Sequence, residues 1–402
     1  MIITEYNELL KALYKLHDYC NKENYTGYNL LDSHLSTLPI KKLNPKVSFY
    51  VNQLNKRSPL NLRPILGIKK SINPKAFGLF LYSYSIIKRT SIVDIDNIED
   101  IMDYFYNWLK DNHNKKYSGI GWGYQYDWPK NDGTITLKNT PNSVVSSFIS
   151  RGIYEYYKTT NNPQALDVLI KTKDFIIENT IRHEDNDGIC LSYTPDKKDL
   201  TINSNLLAAE ILAYSDHIQG KDEFKDDITK ILDFTMNRQN KDGSWFYSFD
   251  PITNEPKKQI DFHQGYVLES IKRICKLINV DERTYGENIQ KGLEFYYFKQ
   301  FTKEGLSIWR YPKKWPIDIH NQSQGIITFS LFNRYDERYA PFAFKIANLT
   351  VKSFQHNNGS FCYQKWPMFY NKISYMRWNN AWMMVALIEV LKMMEEKNEN
   401  TN

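Results

Sequence analysis

The sequence predicts an all-α fold, an (α/α)6 toroid of six helical hairpins with short strands or turns between them. Three observations predict it. A polar residue opening an apolar helix recurs at Asn73, Asn142, Asn203, His263, His320 and Asn379, at intervals of 69, 61, 60, 57 and 59 residues. Spacing this steady over six copies marks a repeated supersecondary unit. Between these apolar stretches lie amphipathic, more charged segments at 98–112, 164–180, 223–239, 284–301 and 339–355. They read as helices with one solvated face. Each is followed by a glycine turn and a short aromatic segment, as at Gly119, Gly188, Gly243, Gly305 and Gly359. Glycine supplies the positive φ that ends a helix and starts a turn.

In chain order, residues 5–21 form a first amphipathic helix, with Leu9, Leu10, Leu13, Tyr14 and Leu16 at helical spacing. Residues 22–71 are rich in Asn, Pro, Lys and Ser and read as a long arm with short turns. The expected organisation is therefore an N-terminal helix and irregular arm over 1–72, the toroid over 73–392, and a disordered tail over 393–402. The apolar, small-residue-bearing helices are inner and the charged ones outer. Counting the N-terminal segment, six inner and six outer helices close the ring.

The net charge of +6, from 52 basic and 46 acidic residues, is spread along the chain. It permits an anionic substrate but does not point to nucleic acid. No apolar run is long enough for a membrane span, and no signal peptide is apparent. Cys20, Cys190, Cys275 and Cys362 are far apart and lack metal-ligand spacing, as in a reduced cytoplasmic protein. With 29 Tyr and 9 Trp, the chain has flat apolar faces with polar tips to spare, which suit either a core or a sugar-binding groove. Phosphate-cradling glycine loops and Gly-x-Ser-x-Gly are missing, so nucleotide and serine-hydrolase chemistry lack support.

Gln239-Asn240-Lys241-Asp242-Gly243-Ser244-Trp245 resembles the Gln-x-x-Asp-Gly-Ser-Trp repeat of squalene and terpene cyclases and of protein prenyltransferase β-subunits, which are also α-toroids. The resemblance supports the architecture. It does not carry those activities, because the cyclases' Asp-x-Asp-Asp proton donor is absent and no cysteine sits in a prenyltransferase-like zinc setting. The stretch from His320 to Ser330, with Gln324-Gly325 at its centre, is similar to a segment of the C-terminal toroid of glucuronyl C5-epimerases. The chain as a whole resembles toroid proteins encoded among surface-polysaccharide biosynthesis genes. These resemblances imply a carbohydrate substrate without assigning catalytic residues.

In such a ring the starts of the inner helices converge on one mouth, so candidate chemistry is sought there. His263 is a general acid/base candidate, with Asp261 beside it and Tyr266 one helical turn on. The competing reading makes Asp261 a helix cap and His263 a core histidine. Asp318 and His320 repeat the Asp-x-His phrase one unit later. By donor type the two phrases would suit zinc or manganese, but the expected site holds no metal and no cofactor. Asn142, Asn203, Asn205 and Asn379, with Gln322, supply either helix caps or a ring of amides for hydroxyls. Arg310 and Arg377 lie among aromatics and offer planar forks for a carboxylate. Trp128, Trp309 and Trp378 fall in loops and are candidates for stacking on sugar rings.

The chemistry expected is proton abstraction beside a carboxylate on an oligo- or polysaccharide that bears uronate, giving lyase or epimerase activity. Glycoside hydrolysis through paired carboxylates, Asp127 and Asp261, is the first alternative. A non-catalytic glycan-binding or assembly protein is the second.

Overall fold

A computed structural model describes residues 2–399 and places thirteen α-helices among them. Six form an inner ring: α3 (Pro74–Thr90), α5 (Ser143–Thr160), α7 (Ile202–Gln219), α9 (His263–Leu277), α11 (Ile319–Leu331) and α13 (Trp382–Glu399). Six lie outside it: α1 (Ile2–Lys22), α4 (Ile98–Asp111), α6 (Pro163–Asn179), α8 (Lys225–Asn237), α10 (Gly286–Lys299) and α12 (Tyr339–Phe354). Each inner helix packs on the next, and α13 packs back on α3, so the ring closes. The first helix, α1, packs on α12 and α13 and supplies the sixth outer helix. It is the helix that the periodicity counts into the ring, although the arm separates it from the other eleven in sequence. At the other end α13 runs to Glu399, so 393–399 is helical where the sequence suggested a tail. Residues 400–402 of that expected tail lie outside the described residues.

The division into inner and outer follows burial. In α3 the residues from Pro74 to Ile87 are all buried, and α11 is buried from Ile319 to Ser330. The outer α4 buries only Met102, Phe105, Tyr106 and Leu109, a single stripe at helical spacing. Small residues let neighbouring inner helices approach. A Cβ on Gly78 of α3 would lie 2.7 Å from the Ile149 Cα of α5, and one on Gly152 would lie 2.3 Å from the Gly78 carbonyl oxygen.

The repeated glycine turn is a device for docking each repeat on its neighbour. Gly243 has φ +88°, and a Cβ there would meet the Lys291 carbonyl oxygen of α10 at 2.2 Å. Gly188 and Gly359 make the same approach to α8 and α1. In Gln239–Trp245, Gln239 Nε2 donates to the carbonyls of Gly243 and Asn288, and Asp242 Oδ1 accepts from the amide and hydroxyl of Ser244. Trp245 is buried, and its Nε1 donates to the Thr235 carbonyl. This seven-residue stretch is thus occupied with holding the ring together.

Strands are confined to the connections, in hairpins such as Arg182–Asp185 with Gly188–Leu191 and in two small three-stranded sheets. The arm is less irregular than the composition suggests. It contains α2 (Pro45–Arg57), capped by Asn44, and two short 3-10 turns. A buried ion pair fastens it: Arg63 Nε lies 2.9 Å from both carboxylate oxygens of Asp32, while another guanidinium nitrogen donates to the Asn29 carbonyl. Asn73, the cap of α3, donates to Asn29 and joins arm to ring. No helix among the described residues is long and apolar enough to cross a membrane.

Candidate functional site

All six inner helices run in the same direction, so their N-terminal ends meet at one mouth. Two connected spaces open there. An inner chamber of about 230 Å³ is walled by Lys75, Asn203, His263, Tyr266, His320 and Arg377, with a set of tyrosines and Trp128 around them. An outer cleft of about 530 Å³ is walled by Asp261, Trp309, Arg310, Asp318, Trp366 and their neighbours. Lys56, Phe262, His263 and Trp378 border both spaces and mark their junction. The arm completes the enclosure, with Leu30 and Leu31 in the chamber wall and Lys56 of α2 at the junction.

Deeper in the ring, about one and a half to three turns into the inner helices, a charged network links α5, α7, α9 and α11. Arg151 of α5 makes two hydrogen bonds to Glu210 of α7, at 2.6 and 2.7 Å, and a third to Glu269 of α9 at 2.7 Å. Arg273 and Gln324 also donate to Glu269. Burial alone would raise the Glu269 carboxyl, but Arg151 and Arg273 hold it below its usual range. None of these residues lines the chamber or the cleft, so the network lies beyond both.

At the junction, His263 Nδ1 is 2.5 Å from Asp261 Oδ1. Burial pushes the Asp261 carboxyl up, but the charge of and hydrogen bonds from His263, with Arg310 nearby, hold it below its ordinary value. Asp261 is therefore the acceptor and His263 Nδ1 the donor. With Nδ1 held in that role, Nε2 is the ring nitrogen left to exchange a proton with the chamber. Gln259 donates to the other Asp261 oxygen at 2.7 Å, and Arg310 Nε stands 3.8 Å from it.

The second Asp-x-His phrase is built differently. Asp318 Oδ1 accepts from the His320 amide and from Trp378 Nε1, and Oδ2 accepts from Gln364, so its carboxylate does not touch the His320 ring in a hydrogen bond. The His320 ring instead stacks on Trp378 at 4.4 Å, and its Nε2 lies 2.7 Å from the Tyr266 hydroxyl. Burial, then Lys75, Arg377 and His263, push His320 well below the ordinary histidine range, so the neutral ring shares one hydrogen with the Tyr266 hydroxyl. Burial raises the Tyr266 hydroxyl well above the usual tyrosine range. Tyr266 is thus paired with His320 by hydrogen bond, and only edge-on by its ring with His263, 5.7 Å away.

Other candidates separate into two groups. Asn203 faces the chamber, and its Oδ1 has no hydrogen-bond partner. Arg377 and Trp378 line the chamber, while Trp309 and Arg310 line the cleft. Trp128 also faces the chamber. Asn142, by contrast, caps α5 through Val145. Asn205 clamps Leu191 and Ile189, Gln322 clamps Ser307 and Gly305, and Asn379 donates to the carbonyls of Phe361 and Ile373. The last three amides fasten their inner helices to the aromatic segments before them. Asp127 accepts from the Lys138 amide and sits 3.9 Å from His34, and it borders neither space, so it does not share a cavity with Asp261.

Lys75, Lys56 and the tyrosine wall of Tyr124, Tyr193 and Tyr247 escaped the sequence reading. Lys75 is two residues past Asn73, at a recurring helix start, and an ionisable residue inside an otherwise apolar inner-helix turn was the signal available. Among the described residues no group of three or more His, Cys, Asp and Glu side chains could hold a metal ion, and the four cysteines are free and buried.

Fold and site together define an α/α-toroid with a polar and aromatic pocket at its mouth. No protein-family model matches this chain, and no curated protein matches it in sequence. Solved structures do share its fold. A cellobiose 2-epimerase from Bacillus thermoamylovorans superposes with a TM-score of 0.64 at 14% identity, covering 80% of this chain and 90% of that one. An unsaturated glucuronyl hydrolase specific for heparin gives 0.65 at 13% identity over 98% of both chains. A GH76 α-mannanase from Bacteroides thetaiotaomicron gives 0.60 at 13% identity, covering 83% and 89%. At these identities the likeness establishes the α/α-toroid fold.

Proposed function

We propose that this protein is a carbohydrate-active enzyme that moves a proton on one unit of an oligo- or polysaccharide, as a lyase or an epimerase. The observation that carries the reading is the placement of His263 at the junction of chamber and cleft. Asp261 holds its Nδ1, and Nε2 is free to take a proton. A sugar ring fits the inner chamber, with Asn203 for a hydroxyl and tyrosine rings for its faces, while Trp309 and Trp366 in the cleft suit further units. The toroids that share the fold include enzymes named for cellobiose, heparin and mannan chemistry, in keeping with a glycan substrate.

A uronate fits this chemistry, because a carboxylate acidifies the neighbouring C–H. In elimination, His263 Nε2 takes that proton, the C–H electron pair becomes a C=C bond, and the adjacent C–O bond breaks. Tyr266, kept protonated by burial, gives its proton to the leaving oxygen. In epimerisation the proton is removed on one face and another returned on the opposite face, with no C–O bond broken.

A specific observation favours a second reading, glycoside hydrolysis. Asp261 and Asp318 both border the cleft, and their environments push them apart: burial raises Asp318, while His263 holds Asp261 low. Such a split assigns an acid and a base. Incubation with uronate-bearing oligosaccharides in D2O separates the readings. Deuterium incorporated beside the carboxylate, or an unsaturated product absorbing in the ultraviolet, supports proton transfer, and His263→Ala should abolish either. New reducing ends without deuterium or unsaturation would replace it with hydrolysis. Glycan binding without turnover of any kind would leave a binding protein.

A further inference from the structure

We infer that the inner chamber is an anion site, in which Lys75 and Arg377 receive the anionic substituent of the bound sugar. The inference rests on the reading of this chamber as a carbohydrate pocket and specifies what the sugar must carry. Lys75 and Arg377 are both buried, yet neither side chain makes a hydrogen bond or an ion pair among the described residues. Their neighbours are ring faces. Lys75 Nζ stands 4.0 Å from the Phe148 ring centre and 5.2 Å from that of Trp382, and the Arg377 guanidinium stands 5.3 Å from Tyr124 and from Trp378. Lys56, the third cation in the wall, stands 6.0 Å from the Trp378 ring and feels Asp318 of the neighbouring cleft. No aspartate or glutamate lines the chamber.

A buried charge without a counter-charge is costly, and proteins otherwise pair such groups. The network deeper in the same ring illustrates the usual solution, since Arg151 and Arg273 are matched by Glu210 and Glu269. Two unmatched cations one layer above, aimed into a cavity, leave the counter-charge to the ligand. The inner helices also turn their positive ends toward the chamber, which adds to the preference.

Anion entry couples to a proton. Every element packed around Lys75 contributes to its state: Arg151 from α5, Glu269 from α9, His320 from α11, and Arg377 from the turn before α13. Glu269 is already committed to the two arginines. Burial, then Arg377 and Arg151, hold Lys75 well below the ordinary lysine range in the empty chamber. An anion raises it again, so between the empty and the occupied value binding takes up a proton and weakens as pH rises.

Titration calorimetry with glucuronate, glucose 6-phosphate, glucose 6-sulfate and glucose tests this without any need for turnover. At least one charged sugar should bind ten-fold or more tightly than glucose, and which of them does so identifies the substituent. Repeating the titration in buffers of different ionisation enthalpy should reveal proton uptake. Lys75→Met should erase the preference and the uptake, and Arg377→Gln the preference. Replacing a buried amine that has no hydrogen-bond partner should also leave the empty Lys75→Met protein at least as heat-stable as the parent. Equal binding of all four sugars, or a full charge preference in both variants, overturns the inference. Should Lys75→Met fail to fold, Arg377→Gln and the parent's own preference decide. Charge preference without catalysis would sink the proposed reaction and leave the anion site standing, whereas turnover of neutral sugars alone would do the reverse.

Discussion

The Tyr266 hydroxyl lies 2.7 Å from Nε2 of His320, joining inner helices α9 and α11 across 54 positions of sequence. Both groups are buried, so each satisfies the other where water does not. Tyr266→Phe removes the hydroxyl and leaves the His320 nitrogen without its partner. The expected cost is about 1–3 kcal/mol, read by denaturant unfolding. In the elimination reaction the same change should lower kcat while KM stays near its original value, because Tyr266 gives its proton only as the bond breaks.

The burial of His320 makes stability depend on pH. Its native pKa is depressed below the ordinary 6.5, so below that pH the unfolded chain binds a proton that the native protein refuses. Its contribution to stability is complete above 6.5 and is lost as pH falls toward the native value. Thermal unfolding followed from pH 7 downward should decline, and His320→Gln should flatten that decline. An unchanged profile in the variant would assign the acid sensitivity to other groups.

Breaking the clasp between Asp32 and Arg63 should release the arm. Both residues are buried, and removing one partner leaves a stranded charge, at a cost of roughly 3–5 kcal/mol. Asp32→Asn should bring protease cleavage within 22–71 at conditions the parent survives. Sugar affinity should fall with it, because Leu30, Leu31 and Lys56 wall the site.

Gly243 tests the turn. Its φ of +88° and its 2.2 Å clearance to the Lys291 carbonyl leave no room for a methyl group, so Gly243→Ala should cost roughly 3 kcal/mol. Gly220 has φ +62° but nothing within 4 Å, and Gly220→Ala should cost about 1 kcal/mol through backbone strain alone. The two melting temperatures, measured side by side, separate crowding from strain.

His263 carries the largest predicted effect on turnover. His263→Ala should lower kcat by about 10²–10⁴ under the proton-transfer reading, with glycan binding retained. Asp261→Asn should lower it less, since the imidazole remains but its orientation and tautomer loosen. Equal loss of binding and of turnover would instead give His263 a purely structural role.

What the sequence determined by itself was the ring. Hydrophobic periodicity, glycine turns and a near-constant interval are local properties, each legible within one repeat, and repetition multiplied them into an architecture. Inner and outer helices were separable because α11, buried on every side, carries no Asp, Glu, Lys or Arg, whereas α4 pairs an apolar stripe with a charged face. Tertiary structure alone decided which polar residues at the helix starts remain free. Asn203 and Asn205 are two positions apart on one helix, yet Asn205 fastens Leu191 while Asn203 faces the chamber. Two residues rotate a helix by about 200°, so the direction of each amide depends on what packs against it, which spacing does not record. The partners of His263 and His320 were hidden for the same reason. The two Asp-x-His phrases are alike in sequence, but one carboxylate holds its own histidine ring and the other is taken by Trp378 and Gln364, which arrive from the following repeat.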